Sequence, residues 1–173
     1  MPYFNIVAET SENTVVTEYE PVKKRSDSYQ SEAALEQEFI RLLCEQGYEY
    51  LPIHTEKDLI ANLRKKLEEL NNYQFSDTEW DDFFKNAVAN PNEHIVEKTR
   101  KMQEDNVQVL TRDDGSSKNI TLIDKKNIHN NRLQVINQYV IGTENGAKHD
   151  NRYDVTVLVN GLPLVHIELK RRG

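Results

Sequence analysis

Arg152-Tyr153-Asp154-Val155-Thr156-Val157-Leu158-Val159-Asn160-Gly161-Leu162-Pro163-Leu164-Val165-His166-Ile167-Glu168-Leu169-Lys170-Arg171-Arg172 is the stretch that decides the fold. Two apolar, β-branched runs flank an Asn-Gly pair, the pattern of a β-hairpin. Asp154 stands near the start of the first strand, and Glu168-Leu169-Lys170 closes the second. Alternation along a strand puts Glu168 and Lys170 on one face and Leu169 on the other. Two carboxylates and a lysine at neighbouring strand ends suit a hard divalent cation and a water poised to attack a phosphodiester. Leu164, Val165, His166, Ile167 and Leu169 interleave, so the second strand reads as buried on both faces. Charges at the mouth of such a strand are costly unless paired or metal-bound.

Parity constrains this hairpin. Directly opposed residues of an antiparallel pair share a face. A regular two-residue turn pairs Val159 with Leu162 and, counting outward, Asp154 with Ile167, leaving Asp154 on the wrong side for Glu168. Either a three-residue connection, Asn160–Leu162, or a bulge between Asp154 and Val159 restores the phase. One of the two is expected.

Working back from the hairpin, helical patterns come first and strands later. Ser31 caps a helix to about Gln46, closed by Gly47, with Leu35, Phe39, Leu42 and Leu43 as its apolar stripe. Tyr48–Ile53 reads as a short strand. Thr55 with Asp58 opens a second helix, carried by Leu59, Leu63, Leu67 and Leu70. Ser76 with Glu79 is a capping-box pattern for a third, through Trp80, Phe83, Phe84 and Val88. A fourth is expected from Pro91 to about Gln103. Val107–Arg112 and Asn119–Asp124 form a hairpin about the turn Asp113–Ser117. Arg132–Ile141 is a further strand, followed by a polar loop from Gly142 to Arg152. Thr14–Val22 is a short strand in an otherwise weakly patterned N-terminal arm, residues 1–26. The expectation is a single α/β (α+β-like) domain with a mixed central sheet flanked by helices and a helical insertion at about 55–103.

The chain has 173 residues, 29 acidic against 22 basic, and a net charge of −7. That length accommodates one domain with a proper core. The acidic balance argues against unaided nucleic-acid binding, because phosphate contacts need Lys and Arg. A cation held by carboxylates supplies local positive charge. Lys170, Arg171 and Arg172 are the basic cluster beside the candidate site, and Lys23, Lys24 and Arg25 a smaller one. No apolar run nears the ~20 residues of a membrane span, and the start lacks secretory-signal character. With Cys44 alone, no internal disulfide forms and a cytoplasmic setting fits; Cys44 reads as a packing residue. His54, His94, His129, His149 and His166 lack zinc spacing, and no phosphate-loop motif for ATP is present.

The stretch Asn151–Gly173 closely resembles the amino-terminal nuclease region of type I restriction enzyme R subunits. Asp27-Ser28-Tyr29-Gln30-Ser31-Glu32-Ala33-Ala34-Leu35-Glu36, Asn90-Pro91-Asn92 and Leu122-Ile123-Asp124-Lys125-Lys126-Asn127 resemble the same family, closest to its type IC branch. The resemblance implies a restriction-endonuclease-like PD-(D/E)xK core cutting double-stranded DNA with Mg²⁺. Asp154 and Glu168 would be its Mg²⁺ ligands with the Leu169 carbonyl, and Lys170 would act on the attacking water. The stretch Glu36–Tyr48 resembles the first helix of archaeal Holliday-junction resolvases, which implies a metal-site role for Glu36. The first-helix pattern turns Glu36 toward the sheet edge. The resemblance also implies methyltransferase (M) and specificity (S) subunits as partners, and ATP used by motor domains outside this stretch. The family's core continues past Glu-x-Lys into a helix with a Gln-x-x-x-Tyr signature, so a nuclease incomplete at its C-terminus and weakly active by itself is expected. The competing expectation is a non-catalytic docking module or an inactive truncated product.

Overall fold

The computed structural model describes residues 31–141 and 151–170, together with the strands Phe4–Glu9 and Val15–Tyr19. The chain divides into two compact units, Met1–Gln30 and Ser31–Gly173. In the first, β1 (Phe4–Glu9) pairs antiparallel with β2 (Val15–Tyr19), with an irregularity between Ile6 and Ala8. The arm thus holds a hairpin where the sequence suggested a single strand. The basic cluster Lys23–Arg25, most of the loop after Ile141, and Arg171 and Arg172 lie outside the described residues.

The second unit starts with α1 (Glu32–Glu45), capped by the Ser31 hydroxyl, which accepts from the Ala34 N–H at 3.1 Å. The expected strand at Tyr48–Ile53 shrinks to β3 (Glu49–Tyr50). Thr55 caps α2 (Glu56–Asn71) through the Asp58 N–H at 3.2 Å. Ser76 and Glu79 form the reciprocal capping box of α3 (Asp77–Phe83), which runs into one π-helical turn, Phe84–Val88. Then α4 (Ile95–Gln103) begins four residues later than expected, because His94 and Glu97 close its first turn. A separate hairpin of β4 (Val107–Thr111) and β5 (Ser117–Thr121) follows. The chain then forms β6 (Leu133–Ile141), β7 (Asn151–Val159) and β8 (Leu162–Ile167).

The main sheet has the order β3-β6-β7-β8, with β3 parallel to β6 and the other pairs antiparallel. The fold is therefore mixed α/β, as expected. Leu59 on α2 packs with Ile53, Ile136, Tyr139 and Leu158 against this sheet. One and two turns further along α2, Leu63 and Leu67 pack in a second cluster with Phe75, Trp80 and Phe83, where the β4–β5 hairpin adds Leu110 and Ile120. One amphipathic helix thus joins both halves of the core.

Burial follows strand order. Val135, Ile136, Val155 and Leu158 on the inner strands β6 and β7 are fully buried. In β8, by contrast, Pro163, Leu164, Val165 and His166 are exposed, which corrects the expectation of a strand buried on both faces. Among the described residues β8 has a neighbour on one side only, and an apolar run cannot report which strand stands at an edge. Cys44 is likewise exposed, not packed, because α1 buries no residue fully.

The Asn-Gly turn is tied down. Both residues have positive φ, 52° at Asn160 and 83° at Gly161, as a type I′ turn requires. The Asn160 side chain is buried, donating to the Leu122 carbonyl at 3.0 Å and Asn131 Oδ1 at 2.8 Å and accepting from the Arg132 N–H at 2.8 Å. A Cβ at Gly161 would stand 2.6 Å from the Leu63 Cα, so only glycine lets the turn approach α2 this closely.

Candidate nuclease site

The hairpin connection has two residues, Val159 pairing with Leu162, and the three-residue alternative does not occur. The phase is restored by a bulge. Leu158 pairs with Pro163 but Val157 pairs with Val165, leaving Leu164 as the extra residue on β8. Pro163 belongs at such a place, since it has no N–H to give a ladder and tolerates edges and bulges. Beyond the bulge, Val155 pairs with Ile167, so the next position outward sets Asp154 against Glu168.

Asp154 is half-buried, and its Oδ2 accepts from the Leu169 N–H at 2.8 Å. This bond fastens the Glu168–Lys170 segment, which lies past the end of β8, to the neighbouring strand. Lys170 Nζ stands 3.7 Å from Glu168 Oε2, with side-chain exposures of 84% and 60%, so both remain open to solvent and ligand. Such an exposed pair contributes little to stability.

Glu36 lies elsewhere along the same row of the sheet. From α1 its carboxylate accepts from Asn137 Nδ2 at 2.6 Å and from Gln138 Nε2, both on β6. Tyr50 of β3 donates to Asn137 Oδ1 at 2.9 Å. The pairs Asn137–Val155 and Tyr139–Tyr153 bracket Gln138 and Asp154, which therefore oppose each other across β6 and β7. The order across the sheet is Glu36 over Gln138, then Asp154, then Glu168. Among the described residues, no three or more His, Cys, Asp or Glu side chains gather into one metal-binding group.

His166 is not a packed core residue. Its Nδ1 lies 3.0 Å from Thr156 Oγ1, and its ring stacks on Tyr153 with centroids 4.1 Å apart. Partial burial lowers its pKa. Asn137 and Gln138 escaped the sequence reading, although a signal existed: two amides interrupt the apolar run Val135-Ile136 … Tyr139-Val140.

Comparison with known proteins agrees with this arrangement. The family model described as Type I restriction enzyme R protein N terminus matches residues 29–173. The type I restriction enzyme EcoprrI endonuclease subunit of Escherichia coli is 47% identical over 168 residues, covering 96% of this chain and 52% of that protein. The SsaAORF53P endonuclease subunit of Staphylococcus saprophyticus is 37% identical over 150 residues, and the SauMSSORF170P subunit of Staphylococcus aureus 38% identical over 151. Each of these two matches covers 84% of this chain but 15% of the staphylococcal protein. The chain thus spans about half the length of the first relative and far less of the others. With the family model covering most of its length, the chain belongs to the type I restriction enzyme R protein N-terminal family.

Proposed function

We propose that this chain is the nuclease portion of the restriction subunit of a type I restriction-modification enzyme, hydrolysing DNA phosphodiester bonds with Mg²⁺. The observation that supports this most is the bulge at Leu164, which brings Asp154 into register with Glu168 at the open end of β7 and β8. The donor set fits the cation: two carboxylates and the Leu169 carbonyl are hard oxygen ligands, and the exposure of Glu168 leaves room for the waters Mg²⁺ retains. The Leu169 N–H occupies Oδ2 of Asp154, while among the described residues no hydrogen bond engages Oδ1.

Asp154 and Glu168 would hold the cation, which lowers the pKa of bound water and offsets charge growing on the phosphate. Lys170 would orient the attacking water, help deprotonate it, or neutralise the developing charge. Glu36 would serve the outer water network. The wider DNA grip, the ATP-driven motor and the methyltransferase and specificity partners would come from outside this stretch, consistent with a net charge of −7 here. The test is plasmid cleavage by the full-length subunit assembled with its partners and ATP. Asp154→Ala, Glu168→Ala and Lys170→Ala should each abolish cutting while ATP hydrolysis survives, and a variant that cuts normally removes its residue from the site.

A second reading is a docking module in which Glu168 and Lys170 only neutralise each other, favoured by their 3.7 Å approach. Titration calorimetry with Mg²⁺ separates the two: a docking module takes up no cation through Asp154 and Glu168.

A further inference from the structure

Gln138 lies in the interior of β6 with φ of 53°, although regular ladder pairs flank it on both sides. Left-handed backbone is unfavourable for a residue with a Cβ and persists where its surroundings hold it. Here the surroundings include a carboxylate from another element. The Gln138 and Asn137 amides converge on Glu36, and Gln138 stands opposite Asp154. In a regular strand, adjacent residues point to opposite faces. Two consecutive side chains reach one carboxylate only because the backbone departs from that alternation.

We infer that Gln138 is a positioning residue of the site: its left-handed backbone turns its amide onto Glu36 and so holds that carboxylate in line with Asp154 and Glu168. The inference rests on the nuclease reading of Asp154 and Glu168. It assigns Glu36 the part of an oriented acceptor for site water, with Gln138 acting through it.

The experiment uses the full-length subunit assembled with its partners, and reads plasmid cleavage against Mg²⁺ concentration with ATP hydrolysis as the control for folding and assembly. The variants are Q138G, Q138N, E36Q, the E36Q combinations with Q138G and Q138N, and D154A. Glycine adopts the required φ without strain, so Q138G removes the amide and leaves the strand intact. Loss of an orienting partner typically costs about 10- to 100-fold in metal affinity or activity, and Q138G should show a loss of this size with unchanged ATP hydrolysis. E36Q should show a similar loss. The double variant should be no worse than the poorer single one, because both act through one contact. Q138N keeps an amide on a residue that tolerates left-handed backbone, and should recover part of the loss. If Q138G does not assemble, Q138N with and without E36Q reads the same coupling. An inactive D154A beside a Q138G enzyme with wild-type Mg²⁺ dependence overturns this inference alone, as do additive losses in the double variant. Normal cleavage by D154A overturns the nuclease reading, and this inference with it.

Discussion

Asp154 has two separable roles in this arrangement, and substituting it tests both. Its Oδ2 anchors the Glu168–Lys170 segment through the Leu169 N–H at 2.8 Å, and its charge is one of two that would hold the cation. Asp154→Ala removes the anchor and the charge together. A hydrogen bond to a charged partner contributes about 1.5–3 kcal/mol, and Asp154 is only half-buried, so the lower end applies. With a urea m-value of about 2 kcal/mol/M, a loss near 1.5 kcal/mol moves the unfolding midpoint of residues 1–173 down by about 0.7 M. Asp154→Asn keeps an oxygen that can accept from Leu169 and loses only the charge. Its midpoint should stay within about 0.3 M of the parent, equivalent to roughly 0.5 kcal/mol. Cleavage should separate differently. Both variants leave one carboxylate for the cation, and forfeiting several kcal/mol of charge stabilisation slows cutting by about 1000-fold or more. The expected result is therefore one destabilised and one stable variant, both inactive in the assembled full-length enzyme. An unchanged urea midpoint for Asp154→Ala refutes the anchor, and normal cutting by Asp154→Asn refutes the requirement for charge.

Three other perturbations follow from the same structure. Gly161→Ala must place a Cβ 2.6 Å from the α2 backbone at a φ of 83°, so urea unfolding should show a loss of about 2–4 kcal/mol. Glu79 is buried; burial pushes its pKa up, but the Ser76 and Asp113 N–H groups, the Tyr73 hydroxyl and Arg112 together hold it below the ordinary value of 4.5. Its contribution is complete above that value and is lost as pH falls through the lower folded-state pKa. Glu79→Gln should therefore lower stability at pH 7 and flatten its decline in acid, as read by thermal melts across pH; an unchanged acid slope removes Glu79 from the account. Cys44 should react with a thiol reagent in the native protein as fast as in urea, since it is exposed at the surface of α1.

The sequence by itself determined the features whose causes are local. Ser31, Thr55 and Ser76 start helices because their hydroxyls satisfy the N–H of a residue three positions on, and that needs no distant partner. Asn160-Gly161 specified its turn because both residues accept positive φ. Parity then required a bulge or a longer loop for Asp154 to oppose Glu168, an argument of strand geometry alone. Tertiary structure decided which option was taken, a bulge in β8 at Leu164, and it decided burial. The apolar run of β8 resembles that of β7, yet β7 lies between two strands and β8 beside one, so the same residue types are buried in one and exposed in the other. It also decided that Gln138 turns left-handed beneath a helix more than a hundred positions earlier in the chain. A residue's local pattern reports its own backbone preference; which distant side chain will reward a departure from that preference exists only once the sheet and helix have packed.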